Sequence, residues 1–132
     1  HTCKLEQIRK NEKVVVHFYA LDVNNNYNMK RLEIIVRLDK LNDVTNAISK
    51  VGVGGMTVMH ARGQGAADPP LVGQFFSREI IVVVVDDSQV DKIKSAVSNT
   101  ACTKLKGDGK IFVSNVEDAF DICSGDTGKN AL

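Results

Sequence analysis

The sequence predicts one α/β domain with the element order β-α-β-β-α-β, the ferredoxin-like class. Three observations support this class. Four short segments are rich in Val and Ile, as strands are. Two stretches between them carry apolar residues at helical spacing, and Gly, Asn and Asp mark the junctions. At 132 residues, the chain is long enough to bury a core without disulfides or a metal.

The first strand is predicted at residues 32–38, Leu-Glu-Ile-Ile-Val-Arg-Leu. A helix follows, with Gly52 standing where a C-cap belongs. Its apolar positions recur every three or four residues and are Leu41, Val44, Ala47, Ile48 and Val51. The second strand is predicted at residues 56–61, and a glycine- and proline-containing loop at residues 63–76.

The third strand is predicted at residues 80–85, an uninterrupted Ile and Val run. Asp86, Asp87 and Ser88 then supply an N-cap for a second helix, whose apolar stripe includes Val90, Ile93 and Val97. A fourth strand is predicted at residues 110–113. Because the third strand is apolar on both sides, its outer face needs covering, which predicts a homo-oligomer.

Composition excludes several classes of protein. Lys and Arg number 17 against 16 Asp and Glu, so the net charge of +1 gives no support for general nucleic-acid or membrane binding. No apolar run approaches the roughly 18 residues of a membrane span. Cys3, Cys102 and Cys123 lack metal-ligand spacing and are odd in number, which favours neither a metal site nor a disulfide framework. The expected setting is a reducing cytoplasm.

Residues 1–28 are predicted to be separate from this domain, which then comprises residues 29–132. The segment contains a strand-like apolar run and ends in a polar, asparagine-rich linker before Met29. Two interpretations stay open: an extension that packs on the domain, or a segment preceding a natural start at Met29. We favour the second.

The most distinctive stretch is residues 103–113, Thr-Lys-Leu-Lys-Gly-Asp-Gly-Lys-Ile-Phe-Val. Its glycines permit positive φ, and its backbone amides and lysines suit an anion held beside a strand. An ordinary helix-to-strand connection is the alternative. RNA binding is disfavoured, because Asp108 and Lys110 stand where an RNA-recognition domain has stacking aromatics.

Three segments together carry a family resemblance. They are residues 103–113, the Val-Gly-Gly-Met-Thr-Val of residues 53–58, and Met-Lys-Arg-Leu-Glu-Ile-Ile at 29–35 with Asp43 and Val44 following. With these segments in the family's order, residues 29–132 resemble the PII signal-transduction family, whose members are trimeric nucleotide sensors. The resemblance implies a homotrimer that binds adenine nucleotide between subunits, is not an enzyme, and signals to a protein partner.

The resemblance also implies the nucleotide-binding residues. Residues 103–113 are similar to the family's B-loop, and Lys110 matches its charged phosphate contact. Other positions match the segment entering the second strand, the glycines that open the T-loop, and strand positions near the adenine. The matched residues are Ile35, Gly55, Met56, Thr57, Gly63, Gly65, Val83, Thr103, Gly107, Asp108, Gly109 and Lys110.

Two departures from the family bear on the ligand. Family members usually carry two arginines after the fourth strand, and Asp121 and Cys123 stand at those places here. Since two cations are lost and an anion is gained, AMP or ADP is expected to bind at least as well as ATP. The T-loop, residues 66–76 from Ala66 to Phe76, is shorter than usual. It has Ala67 where the family's 2-oxoglutarate and Mg glutamine is expected, and it lacks the tyrosine that some members uridylylate.

The altered T-loop resembles that of divergent PII-like proteins associated with bicarbonate transport and carboxysomes. This implies bicarbonate as a second ligand near Arg62, Gly63 or Gly65, and a partner such as a transporter or carbon-fixation component. Two alternatives stay open: a nitrogen-regulatory PII protein controlling a transporter or assimilation enzyme, and a metal-binding or enzymatic ferredoxin-like trimer.

Three single residues have two interpretations each. Cys102 and Cys123 flank the phosphate site in sequence and are either a redox-sensitive pair or small hydrophobic residues. His60 is either structural or a metal ligand, and it has no Cys or His at ligand spacing.

Overall fold

A computed structural model describes residues 28–65 and 75–132 of the chain. Within them, four antiparallel strands form one sheet in the order β2-β3-β1-β4. The strands are β1 (Met29–Val36), β2 (Thr57–Gly63), β3 (Phe76–Asp86) and β4 (Gly109–Val116), and the helices are α1 (Leu41–Val51) and α2 (Val90–Ala101). The predicted β-α-β-β-α-β, ferredoxin-like fold is confirmed.

The core lies between the helices and one face of the sheet. Side chains of a strand alternate between faces, so every second residue of β1 and β3 points toward the helices. The residues buried there are Leu32, Ile34, Val36, Ile81, Val83 and Val85 from the strands, with Val44, Ile48, Ile93 and Val97 from the helices.

The opposite face of the sheet is apolar at its centre. Ile35 pairs with Ile80 across β1 and β3, and both are only half-buried, as are Val82 and Val84. On β4, Phe112 is exposed. This doubly apolar β3 is the feature from which the sequence predicts association.

The helix boundaries follow the predicted signals. Gly52 ends α1 in the left-handed conformation, at φ 96°, which a residue without a Cβ adopts freely. Asp86 caps the 3₁₀ turn that leads into α2, because its carboxylate accepts a 2.9 Å hydrogen bond from the Ser88 amide.

Strand bounds differ from the predicted ones because pairing extends the strands. Met29 pairs with both Asp86 and Val116, so β1 begins there, and Leu38 lies in a 3₁₀ turn after it. At the other end, Gly63 pairs with Phe76. Gly63, which the sequence places in the loop, is therefore the last residue of β2.

The C-terminal segment folds back across the far end of the sheet. A 3₁₀ turn at Gly128–Ala131 brings Lys129 Nζ to 2.9 Å from Asp86 Oδ1 at the end of β3. The backbone of Leu132 lies so close to Gly54 that a Cβ on Gly54 would be 3.1 Å from the Leu132 carbonyl carbon. The segment thus spans from the end of β4 to the residues that precede β2.

Two sequence predictions fall outside the described residues. The separate segment at residues 1–28 is described only at Asn28, and the T-loop only at Phe75 and Phe76. In the described ranges, no helix has both the length and the apolar character needed to cross a membrane.

A buried acid joins β2 to β3 near the base of the T-loop. Glu79 is only 5% exposed and lies on the helix-covered face, whereas 58% of the His60 side chain is exposed. The two residues pair across the strands, and His60 Nδ1 donates a hydrogen bond to Glu79 Oε2. His60 therefore has a structural role, because a buried carboxylate is costly without a partner.

His60→Ala should lower the free energy of unfolding by about 1–3 kcal/mol, since it leaves the Glu79 carboxylate without this partner. The double variant His60→Ala/Glu79→Leu should recover most of that loss, because an apolar side chain removes the buried charge. Urea denaturation measures both. Asn46→Ala, on the exposed side of α1, is the control and should change stability by no more than about 0.5 kcal/mol. Equal stability of His60→Ala and wild type would contradict this role.

Candidate functional site

The loop between α2 and β4 is a tight turn shaped by unusual backbone angles. Lys104, Gly107 and Gly109 have φ of 67°, 92° and 132°. Such angles are rare outside glycine, and Lys104 adopts one at some conformational cost. Residues 103–109 therefore form the compact, glycine-dependent loop that the sequence predicts.

One acid closes this loop on itself. The Thr103 amide donates a 2.6 Å hydrogen bond to Asp108 Oδ2, and the Thr103 hydroxyl donates a 2.7 Å bond to Asp108 Oδ1. These bonds, and to a lesser degree the positive charge of Arg37, hold the pKa of the Asp108 carboxyl below its usual 3.8. Asp108 is therefore an ionised carboxylate whose two oxygens both face Thr103.

The next residue fixes the loop to the sheet. Gly109 begins β4 opposite Val36, and a Cβ added to it would overlap the carbonyl oxygen of Ile35 and lie 3.2 Å from its carbonyl carbon. Since both obstacles are backbone atoms of a central strand, no side chain fits there. Gly109 thus allows the close approach that places Lys110 directly beside Ile35.

The loop borders a cleft of about 270 Å³ between the C-terminal end of α2 and strands β1 and β4. Most of its lining is apolar, and its two charged members are Asp108 and Lys110. The lining residues are Ile34, Ile35, Val36, Val97, Ser98, Ala101, Cys102, Asp108, Gly109, Lys110 and Ile111. Four predicted site residues, Ile35, Asp108, Gly109 and Lys110, meet here, and Thr103 and Gly107 belong to the same loop.

The other predicted residues lie elsewhere in the chain. Gly55, Met56 and Thr57 lead into β2, Gly63 ends it, and Gly65 follows. β2 and β4 are opposite edges of the sheet, three strand spacings or about 14 Å apart. The Val83 side chain is buried in the core beneath the helices. One chain therefore does not gather all the predicted nucleotide contacts into one cleft.

The structure adds residues that the sequence analysis did not single out for the site. Val36 pairs with Gly109, so the residue after it, Arg37, lies next to Asp108. The guanidinium of Arg37 is also 3.1 Å from Asp39 Oδ2. Ser98 lines the cleft one helical turn before Cys102. The position of Arg37 beside Asp108 depends on the register between β1 and β4, which the sequence alone does not give.

The residues at the two family arginine positions lie in a turn beyond β4. Asp121 Oδ1 accepts hydrogen bonds of 3.1 Å from the Cys123 amide and 2.9 Å from the Ser124 amide. The hydrogen bond from the Ser124 amide is the main reason why the pKa of Asp121 lies below its ordinary value. The loop precedes β4 and this turn follows it, so within one chain the turn lies past the far end of the strand.

Metal chemistry has little support. The ranges 28–65 and 75–132 contain no group of three or more His, Cys, Asp or Glu arranged to hold a metal ion. Cys102 and Cys123 are both free and exposed. Cys102 nevertheless lines the cleft beside the loop.

The structure is thus an α/β domain with a ferredoxin-like sheet and a glycine-rich loop that leads into its edge strand β4. A family model described as "Nitrogen regulatory protein P-II" matches residues 29–126, and the chain therefore belongs to the P-II family. The predicted resemblance is confirmed. Members of this family are regulatory signal transducers, so the prediction that the chain is not an enzyme is also confirmed.

Curated relatives extend over nearly the whole family domain. The nitrogen regulatory protein P-II of Rhizobium meliloti (strain 1021) is 37% identical over 112 residues, covering 79% of this chain and 100% of the relative. Nitrogen regulatory protein GlnK2 of Haloferax mediterranei is 34% identical over 120 residues, covering 84% and 97%.

Solved structures agree with the fold. Arabidopsis thaliana PII bound to citrate superposes with a TM-score of 0.70 at 31% identity, covering 80% of this chain and 94% of that one. The Bacillus subtilis GlnK–ATP complex gives a TM-score of 0.70 at 28% identity, with coverage of 79% and 95%.

Gly109→Ala should lower the free energy of unfolding by about 3 kcal/mol or more, because its methyl group meets the β1 backbone. Gly107→Ala is the matched control: its φ is also positive, but a Cβ there has open space. It should cost only about 1–2 kcal/mol. Chemical denaturation compares the two, and equal losses would show that the close approach to Ile35 is not the constraint.

Proposed function

We propose that the chain is a P-II-type regulator that binds adenine nucleotide and signals occupancy through its T-loop to a protein partner. The observation that carries this is the loop at residues 103–109, which is closed by Asp108 and leads directly to Lys110 in the lining of the cleft. Lys110 supplies the full positive charge for a phosphate. The ATP complex of the Bacillus subtilis relative supports an adenine nucleotide as the ligand.

Each binding site in this proposal is shared by two copies of the chain. One copy contributes Ile35 and the loop that contains Thr103, Gly107, Asp108, Gly109 and Lys110, and another contributes Gly55, Met56 and Thr57. Gly63, Gly65 and Val83 complete the proposed set, Val83 through its backbone because its side chain is buried in the core. The distance between the two sheet edges supports the sharing. A homotrimer of residues 29–132, associated through the apolar open face of the sheet, accommodates three such sites.

The preference of the site for a short phosphate chain is also proposed. Asp121 and Cys123 supply no cation where the family usually has two arginines. If the turn of another copy closes the site, an outer phosphate meets a carboxylate there. The attraction between opposite charges and the repulsion between like charges are both strongest where solvent is excluded. AMP or ADP is therefore expected to bind at least as well as ATP.

Two alternatives are proposed for the process that this protein regulates, nitrogen assimilation and inorganic-carbon metabolism. Both curated relatives described above are named nitrogen regulatory proteins. Their names favour control of a transporter or enzyme of nitrogen assimilation. The short T-loop and Ala67 favour instead a signal from inorganic carbon, with bicarbonate held near Arg62, Gly63 or Gly65. In either case we place the protein in the cytoplasm, with residues 66–76 contacting the partner.

Calorimetry with AMP, ADP and ATP tests the nucleotide site. We expect one nucleotide per chain, with AMP or ADP at least as tight as ATP. Lys110→Gln should weaken ADP binding about tenfold, because a charge-assisted contact is lost. Lys94→Gln, on the exposed side of α2, should leave the affinity unchanged. No nucleotide binding would overturn the proposed function, and clearly tightest ATP would overturn only the phosphate preference.

The second effector is tested by repeating the ADP titration with bicarbonate and, separately, with 2-oxoglutarate. A shift in ADP affinity with bicarbonate alone supports the inorganic-carbon signal. A shift with 2-oxoglutarate supports nitrogen regulation and contradicts the inference drawn from Ala67. Arg62→Ala should abolish a bicarbonate effect if the anion lies where proposed.

The proposed assembly is tested by Val82→Asp. Val82 is half-buried at the centre of the open face, where it pairs with Glu33 and Thr57. A carboxylate there should convert the trimer to monomers in light scattering and remove nucleotide binding. Ser95→Asp, with the same charge on the exposed side of α2, should stay trimeric. A trimeric Val82→Asp variant would exclude this face as the interface.

A further inference from the structure

Two hydrogen bonds connect the carboxylate of Asp108 to one residue of its own loop. Oδ2 accepts from the Thr103 amide at 2.6 Å and Oδ1 from the Thr103 hydroxyl at 2.7 Å. The two residues stand at either end of the turn that contains Lys104 and Gly107. Their double hydrogen bond, here called the Thr103–Asp108 clasp, therefore joins the first residue of the loop to the residue before β4.

An acid at an anion-binding loop needs an explanation. A carboxylate beside a phosphate repels it, and hydrogen bonds from neutral donors weaken this repulsion without removing the negative charge. The lowered pKa of Asp108 shows that the bonds favour its ionised form. Arg37, which lies beside it, offsets the remaining charge.

We propose that Asp108 is a positioning residue, which through the Thr103–Asp108 clasp holds the loop in its ligand-binding shape before the ligand arrives, and that it does not itself contact the ligand. The inference rests on the proposed function only for the identity of the ligand, an adenine nucleotide with at least one phosphate. It differs from the family resemblance, under which Thr103 and Asp108 are both counted as nucleotide contacts.

The physical gain is preorganisation. The loop is exposed and contributes little to the core, so without a local constraint it would sample many conformations. Ordering it would then oppose every binding event. The clasp fixes the two ends of the loop, and Gly109 fixes the exit against β1. The amides of the turn and the Lys110 side chain then meet a phosphate without rearrangement.

Four variants separate positioning from direct contact. Asp108→Ala removes the clasp, and Thr103→Val removes the hydroxyl donor while keeping the shape of the side chain. Thr103→Ser keeps the hydroxyl and is the matched control. Asp108→Asn removes the charge but keeps the clasp, because the amide oxygen accepts from the Thr103 amide and its nitrogen donates to the Thr103 hydroxyl.

Calorimetry should show ADP binding weakened about tenfold in Asp108→Ala and several-fold in Thr103→Val. Thr103→Ser and Asp108→Asn should stay within about threefold of wild type, Asp108→Asn on the tighter side because a negative charge is gone. Adenosine, which has no phosphate, should bind all variants alike. Since the loop is exposed, the melting temperatures of Asp108→Ala and Thr103→Val should fall only slightly, whereas a general folding defect would lower them sharply.

Hydrogen exchange without nucleotide gives an independent measurement. The Thr103 amide should exchange faster in Asp108→Ala than in wild type, and at the wild-type rate in Thr103→Ser. Because the pKa of Asp108 is lowered on folding, this protection should persist at pH values above the usual 3.8 and disappear only as the pH falls through the lower folded value.

Three results would overturn the proposal, and they are distinguishable from one another. If Asp108→Asn loses ADP as severely as Asp108→Ala, the carboxylate contacts the ligand directly. If Asp108→Ala leaves Thr103 exchange unchanged, the clasp does not order the loop. If wild type binds no adenine nucleotide, the ligand role of the clasp falls together with the proposed function.

Discussion

The pairing of β1 with both of its neighbours is the constraint on which the rest of the structure depends. All eight residues of β1 pair with β3 on one side and β4 on the other. One face of this central strand supplies much of the helix-covered core. Its far end meets Gly109 so closely that a side chain at the first position of β4 would overlap the β1 backbone. Core packing and loop placement are consequences of the same ladder.

Hydrophobic periodicity and turn residues predict most of this fold. The helical spacing from Leu41 to Val51, the run of Ile and Val before Asp86, and the C-cap at Gly52 all correspond to observed elements. Strand lengths could not be predicted, because they depend on partners. Phe76 belongs to β3 only because Gly63 lies opposite it, and neither sequence neighbourhood contains that information.

The candidate site was predictable to a different degree. The Gly-Asp-Gly sequence locates the loop, since its positive φ angles demand glycine. The partner of Asp108 could not be predicted, because a hydrogen bond between residues five apart depends on the backbone angles of the loop between them. Arg37 likewise depends on strand register. A matching residue type thus shows where a site lies, but the direction in which its side chain points decides what it does.

The C-terminal segment runs from one edge of the sheet to the other. It leaves the edge strand β4, passes the ion pair of Lys129 with Asp86, and ends with Leu132 against Gly54, just before the opposite edge strand. The sheet is therefore tied from edge to edge outside its hydrogen-bonded ladder. The residues that lead into β2 therefore lie against the segment that follows β4, although the two strands are opposite edges of the sheet.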